Sequence, residues 1–196
     1  MTKKSTGRSN SDEGSRGSSK RRRDTLSAAP FTAHGWNIFL HPLFTAQVER
    51  LASLIEEHGS RDAAGKLTPR AKVFDAIVEL AFDTIPQDPT RREYRQGETL
   101  GEHRKHWFRA KFGGGRFRFF FRYRADVRVI VHAWVNDEGT LRTYGSRTDA
   151  YAVFGRMLDT GNPPDDWDTL LEAASSPDAL ARARDLKRRF EFESET

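Results

Sequence analysis

Not one of the 196 residues is cysteine. Without thiols there is no disulfide framework and no thiolate metal site, and such a chain suits a reducing compartment, so a cytoplasmic location is expected. The six histidines lack the paired spacings of zinc sites, and neither a structural metal nor a cofactor is expected. No stretch approaches the roughly 18 consecutive apolar residues of a membrane span. The opening "MTKKSTGRSNSDEGSRGSSKRRRD" has no apolar core and does not read as a secretory signal. The length fits one ordinary domain with tails.

Acid is also missing, but only locally. The formal net charge is +5, and residues 1–34 already hold eight Lys/Arg against three Asp/Glu. The rest carries 25 of each sign. Any basic surface on the body must therefore come from segregation, and residues 103–124 show it, with eight Lys/Arg and no acid.

Residues 1–33 are rich in Ser, Gly, Lys and Arg and are expected to form a disordered basic tail. Its "KRRRD" run at 20–24 suits loose nucleic-acid contact or a solubilising leader. "HGWNIFLHP", closed by proline, predicts a first strand at 34–42. The apolar spacing of Phe44, Val48, Leu51 and Ile55 predicts a helix ended by Gly59. A second helix follows, with Thr68 as N-cap, Pro69 at its first position and Pro86 at its stop. Strands are predicted at 107–112, 116–124 and 127–135, then a third helix capped by Thr148 with Tyr151, Phe154, Met157 and Leu158 buried. Residues 171–196 read as a helical or frayed extension. The order β-α-α-β-β-β-α predicts an α+β domain over 34–170, a small, mostly antiparallel sheet with helices packed on one face.

"FRAKFGGGRFRFFFRYR" at 108–124 alternates cations with aromatics. Successive strand side chains point to opposite faces, so Trp107, Arg109 and Lys111 share one face, as do Arg116, Arg118, Arg122 and Arg124. A one-residue slip would push arginines into the core, so the glycine loop must be even, setting Lys111 against Arg116 and Arg109 against Arg118. Pairing Val127, Val129, Val131 and Ala133 with Tyr123, Phe121, Phe119 and Phe117 puts His132 beside Arg118 and Trp134 beside Arg116 on the outer face. The expected result is a dense cationic surface with aromatic edges. Like charges facing each other on a sheet cost roughly 0.2–1 kcal/mol per pair. Either the face is solvated and partly neutralised from elsewhere, or a polyanion sits there. Arginine forks suit phosphate, and Trp107 and Trp134 suit base stacking.

The strings "GWNIFLHPLF", "WFRAKFGGGRFRFFFRY" and "WVNDEGTLRTYGSRTDAYAVFGRMLDTGNPPDDW" resemble the YhaV family of bacterial type II toxin–antitoxin toxins, related to the RelE-type endoribonuclease fold. The likeness runs from Gly35 to Trp167. At His106 it departs from the family pattern, which has an acidic residue before the tryptophan. The resemblance implies a RelE-like, mRNA-cleaving toxin neutralised by a PrlF-type antitoxin. It allows the ribosome as the place of cleavage and operator DNA as a contact made through the antitoxin. It also implies metal-independent cutting, in which the 2′-hydroxyl attacks the adjacent phosphate to give a 2′,3′-cyclic phosphate. Such chemistry needs charge stabilisation at phosphate and proton transfer at oxygen.

On that basis Arg109 and Arg116 are expected to clamp the scissile phosphate, with Lys111 assisting electrostatically or as base. "LRTYG" supplies Arg142 as phosphate ligand and Tyr144 as acid/base or stacking platform. Arg118, His132, Trp107, Trp134, Asn136, Lys105 and His106 are expected to contact RNA, and acid and base remain open among Lys111, His132 and Tyr144. Glu138 reads as base or as turn chemistry. The basic "LARARDLKRRF" extends the RNA footprint or frays. A rival reading is a non-catalytic nucleic-acid-binding module or co-repressor acting with the antitoxin, and a gyrase poison is a third.

Overall fold

The computed structural model describes residues 28–194, so the basic run at 20–24 and most of the expected tail lie outside the described residues. Five strands, β1 (Phe31–Ala33), β2 (Trp36–Leu40), β3 (Phe108–Phe112), β4 (Phe117–Arg124) and β5 (Val129–Val135), form one sheet in the order β1-β2-β5-β4-β3. Only β2 and β5 run parallel. The single strand predicted at 34–42 is instead the second arm of a hairpin. Ala33 pairs with Trp36, leaving His34 (φ 49°) and Gly35 (φ 76°) as a two-residue turn with the two positive φ angles that such turns require.

Phe112 pairs with Phe117, so the β3–β4 loop has four residues, 113–116, even as expected but with each cross-strand partner two positions later. Lys111 faces Arg118 and Arg109 faces Phe120, in place of the predicted Arg116 and Arg118. Arg109 and Arg118 keep their predicted face, whereas Arg116 falls in the loop before β4. The loop closes on the stacked Phe112 and Phe117 rings, 5.1 Å apart. At Gly113 (φ 57°) any Cβ would stand 2.6 Å from Phe117 Cδ2, so only glycine fits.

The β4–β5 register differs in kind. Phe120 pairs with Trp134 but Phe121 pairs with His132, which leaves Ala133 as an extra residue in a bulge. That one-residue shift reverses the inner part of β5. His132 joins Phe119 and Phe121, while Val129 and Val131 lie opposite Arg124 and Arg122. The expected neighbours Arg118 and His132 are on opposite faces.

Both faces of the sheet are covered. On one, Ile38, Leu40, Phe119, Phe121 and Ile130 pack beneath α1 (Pro42–His58) and α2 (Pro69–Glu79), with Ala183 and Leu186 of the C-terminal helix completing the layer. α2 starts as expected, Thr68 Oγ1 accepting from the Ala71 N–H at 3.3 Å, and runs on through a π-helical turn at Leu80–Thr84. On the other face, Phe39, Phe120, Val129, Val131 and Trp134 pack beneath Tyr151, Phe154 and Leu158 of α3 (Ala150–Asp159) and Trp167 and Leu170 of α4 (Trp167–Ala174). The expectation of helices on one face is thus corrected, although the α+β class stands. The physical reason is that Phe120, Val131 and Trp134, interleaved with the arginines, offer α3 an apolar seat. The α3 N-cap is Asp149 rather than Thr148. Residues 177–194 form α5 (Pro177–Ser194), and its Arg182 and Arg189 are ion-paired with Glu49 and Glu56 of α1. These two basic residues of "LARARDLKRRF" therefore serve the fold.

Candidate anion site at the hairpin end of the sheet

After β5 the chain turns back along β4. The Asn136 N–H donates to the Arg118 carbonyl at 3.2 Å, and the Arg142 N–H to the Arg116 carbonyl at 3.0 Å. Asn136 is buried; its Oδ1 accepts from the Arg118 N–H and its Nδ2 donates to the Thr140 carbonyl at 2.9 Å. Its side chain is committed to the backbone of β4 and the following turn. Glu138 opens a 3-10 turn capped by Asp137, the turn reading of "NDEG".

This return brings three arginines onto one phenol. Arg109 Nε donates to Tyr151 Oη at 2.8 Å, and Arg118 Nε to the same atom at 3.3 Å. The guanidinium carbons of Arg118 and Arg142 lie 5.7 and 5.2 Å from the Tyr151 ring centroid. Arg109 Nη1 donates to the Glu93 carbonyl, and Arg118 Nη1 to the Gly115 and Phe117 carbonyls at 2.8 Å each. The carboxylate bound to the group is Asp149, which accepts from Arg142 Nη1 and, at 2.8 Å, from the Thr143 N–H. Cations gathered on one phenol repel one another even at an effective dielectric of about 20. One carboxylate cannot offset three such charges, so the cluster favours a further anion.

Its accessibility differs from expectation. Arg109 is 8% exposed and Arg118 6%, not open on a solvated face, because α3 lies across them. Yet Nη2 of each makes no hydrogen bond among the described residues and is not among the enclosed atoms that lack a partner, so each reaches solvent. Near this cluster, Lys111 and Arg116 are exposed and without ion pairs among the described residues, and Tyr144 is 92% exposed with Arg142 over its ring at 4.9 Å.

The remaining expected contacts disperse. Trp107 is fully buried and Trp134 nearly so. Trp107 Nε1 donates to Asp165 Oδ1 at 2.6 Å, while Trp134 stacks on Phe120 and Phe154, so neither offers a face to a base. His132 is 0% exposed and its Nε2 donates to the Ala81 carbonyl at 2.8 Å. Burial pushes its pKa down to about 4, which removes it from RNA binding and proton transfer alike. His106 Nε2 meets Asp165 Oδ1 at 2.7 Å. Burial raises the Asp165 carboxyl, but the bonds from His106 and Trp107 and the charge of Arg104 hold it below the usual range. Lys105 is exposed and lies 3.1 Å from Glu102 and 3.5 Å from Glu98. Arg122 leaves the cluster, donating to the Asp165 carbonyl at 2.6 Å between Trp107 and Trp167. Sequence reasoning missed Asp149 and Tyr151, the latter read only as part of a buried stripe. Among the described residues no group of three or more His, Asp or Glu could hold a metal ion, and no helix is long and apolar enough to cross a membrane.

The family model described as a toxin with endonuclease activity, of a toxin–antitoxin system, matches residues 38–175. The chain belongs to the YhaV toxin family. Ribonuclease toxin YhaV of Escherichia coli strain K12 is 43% identical over 149 residues, covering 72% of this chain and 93% of the relative. Toxin YhaV of E. coli O157:H7 matches equally, and that of E. coli O6:H1 is 42% identical over 151 residues. No solved structure matches significantly. The YhaV family match takes in the whole arginine cluster, from Arg109 to Tyr151, and stops just before α5.

Proposed function

We propose that this chain is an endoribonuclease toxin that cleaves mRNA, with Arg109, Arg118 and Arg142 holding the scissile phosphate. The observation that carries the reading is the convergence of three guanidinium groups on Tyr151 against the single carboxylate of Asp149. Arginine donors already fixed in place, on side chains that are largely buried, stabilise the charge that grows on phosphoryl oxygens without reorganising. Lys111 and Arg116, exposed on the hairpin, draw in flanking phosphates, and Tyr144 offers an exposed ring, one face of it beneath Arg142, for a base.

With His132 in the core, proton transfer falls to Lys111 and Tyr144 at the mouth. The 2′-hydroxyl attacks its own phosphorus as the bond to the 5′-oxygen breaks, giving a 2′,3′-cyclic phosphate and a 5′-hydroxyl. Proton removal from the attacking oxygen and delivery to the leaving oxygen complete the step. Kinship with RelE-type enzymes, a PrlF-type antitoxin, action on the ribosome and operator contact through the antitoxin belong to the same reading.

The test is end-group analysis of cleaved message, free in EDTA and ribosome-bound in the magnesium that keeps ribosomes assembled. Fragments whose 5′ ends accept label from polynucleotide kinase without prior phosphatase treatment are expected. 5′-Phosphate ends under either condition refute the 2′-hydroxyl route, and free message cut in magnesium but left intact in EDTA refutes metal independence.

A further inference from the structure

We propose that the Tyr151 hydroxyl is a positioning group, which aims two arginines by gripping their inner nitrogens. The inference deepens the ribonuclease reading and rests on it. Both Arg109 and Arg118 offer Nε to Tyr151 Oη, at 2.8 and 3.3 Å. Both then spend Nη1 on backbone carbonyls, Glu93 for one and Gly115 and Phe117 for the other. A guanidinium is planar, so fixing Nε and Nη1 fixes the direction of Nη2. That is the atom each arginine leaves free for a ligand.

Tyr151 is itself firmly held. Its ring meets Phe120 edge-on at 5.6 Å and 88°, and its N–H donates to Asp149 Oδ1 at 3.0 Å in the first turn of α3. Through Asp149 the same turn holds Arg142. One helix start thus sets all three cations, although Tyr151 is only 7% exposed and need not touch the substrate.

Tyr151→Phe keeps the ring and its packing and deletes only the oxygen. With the full chain acting on free and ribosome-bound message, whichever the unaltered protein cleaves, kcat is expected to fall at least about tenfold while KM changes less than about threefold. A purely structural tyrosine predicts the reverse, a lower melting temperature with kcat intact well below it. Leu170→Ala in α4, a core change of the same apolar layer away from Tyr151, is the comparator and should retain kcat. Unchanged kcat in Tyr151→Phe overturns the proposal, and so does an equal loss in Leu170→Ala at matched stability. Arg109→Gln separates the two levels. If Arg109→Gln is inactive while Tyr151→Phe is normal, only the positioning role falls. If Arg109→Gln cuts normally, the site itself is misplaced.

Discussion

Acidification should unfold this protein through two imidazoles. His132 lies among Phe44, Phe82 and Phe119, its Nε2–H on the Ala81 carbonyl and its Nδ1 enclosed with no partner. A second proton would have to sit on that nitrogen, bringing charge where nothing accepts it. Burial lowers the pKa to about 4 there and, likewise, to about 4 at His41. Both stay neutral in the fold while the unfolded chain takes up protons from about pH 6.5. Their contribution is therefore complete above that value and is lost as pH falls toward 4. At pH 5 the linkage amounts to about 2 kcal/mol for each, about 4 kcal/mol together, a large part of a typical folding free energy. Carboxyls held low, Asp165 among them, lose their contribution only below the usual carboxylate range. Urea unfolding at pH 7.5, 6 and 5 measures the effect as a falling midpoint at constant m. His132→Phe should cost about 1 kcal/mol at pH 7.5 for the lost bond to Ala81, yet remove about half of the fall. Equal midpoints at pH 7.5 and 5, or an unchanged fall in His132→Phe, would refute the reasoning.

Asp149→Ala removes a helix cap together with the counter-ion of Arg142, so thermal unfolding should show a loss of about 1–2 kcal/mol and cleavage should weaken. Lys111→Ala and Arg116→Ala alter exposed side chains and should leave stability within about 0.5 kcal/mol. Each should also flatten the salt dependence of single-stranded RNA binding by about 0.7 in the log–log slope, read by fluorescence polarisation.

Much of this was legible in the residues. Helix starts at Thr68 and Pro69, strand alternation and an even glycine loop follow from local chemistry, and Arg109 and Arg142, marked by the sequence pattern, meet on one side chain, Tyr151. The misses share a cause. A bulge at Ala133 has no mark in a run such as "VIVHAWV", and one extra residue there moved His132 from the supposed basic face into the core. Alternation also says which side an arginine takes, but not whether a helix 30 residues later will lie over it. Hence Trp107 and Trp134 looked like stacking platforms and are packing. Tyr151 fits an apolar stripe equally well with or without a use for its oxygen, so only the register of α3 against β3 and β4 could reveal it.

The family match begins at residue 38 and stops at 175, leaving both β1 and α5 outside. These two flanks nonetheless meet. Phe31, Ala183 and Leu186 share one apolar cluster, and the Lys187 ammonium sits 5.9 Å from the Phe31 ring. They act as the two halves of a clasp fastened over β2 and α1. Trimming either end uncovers the same greasy patch, so a chain cut back to its family core would be lost first to clumping, with its cutting machinery still in place.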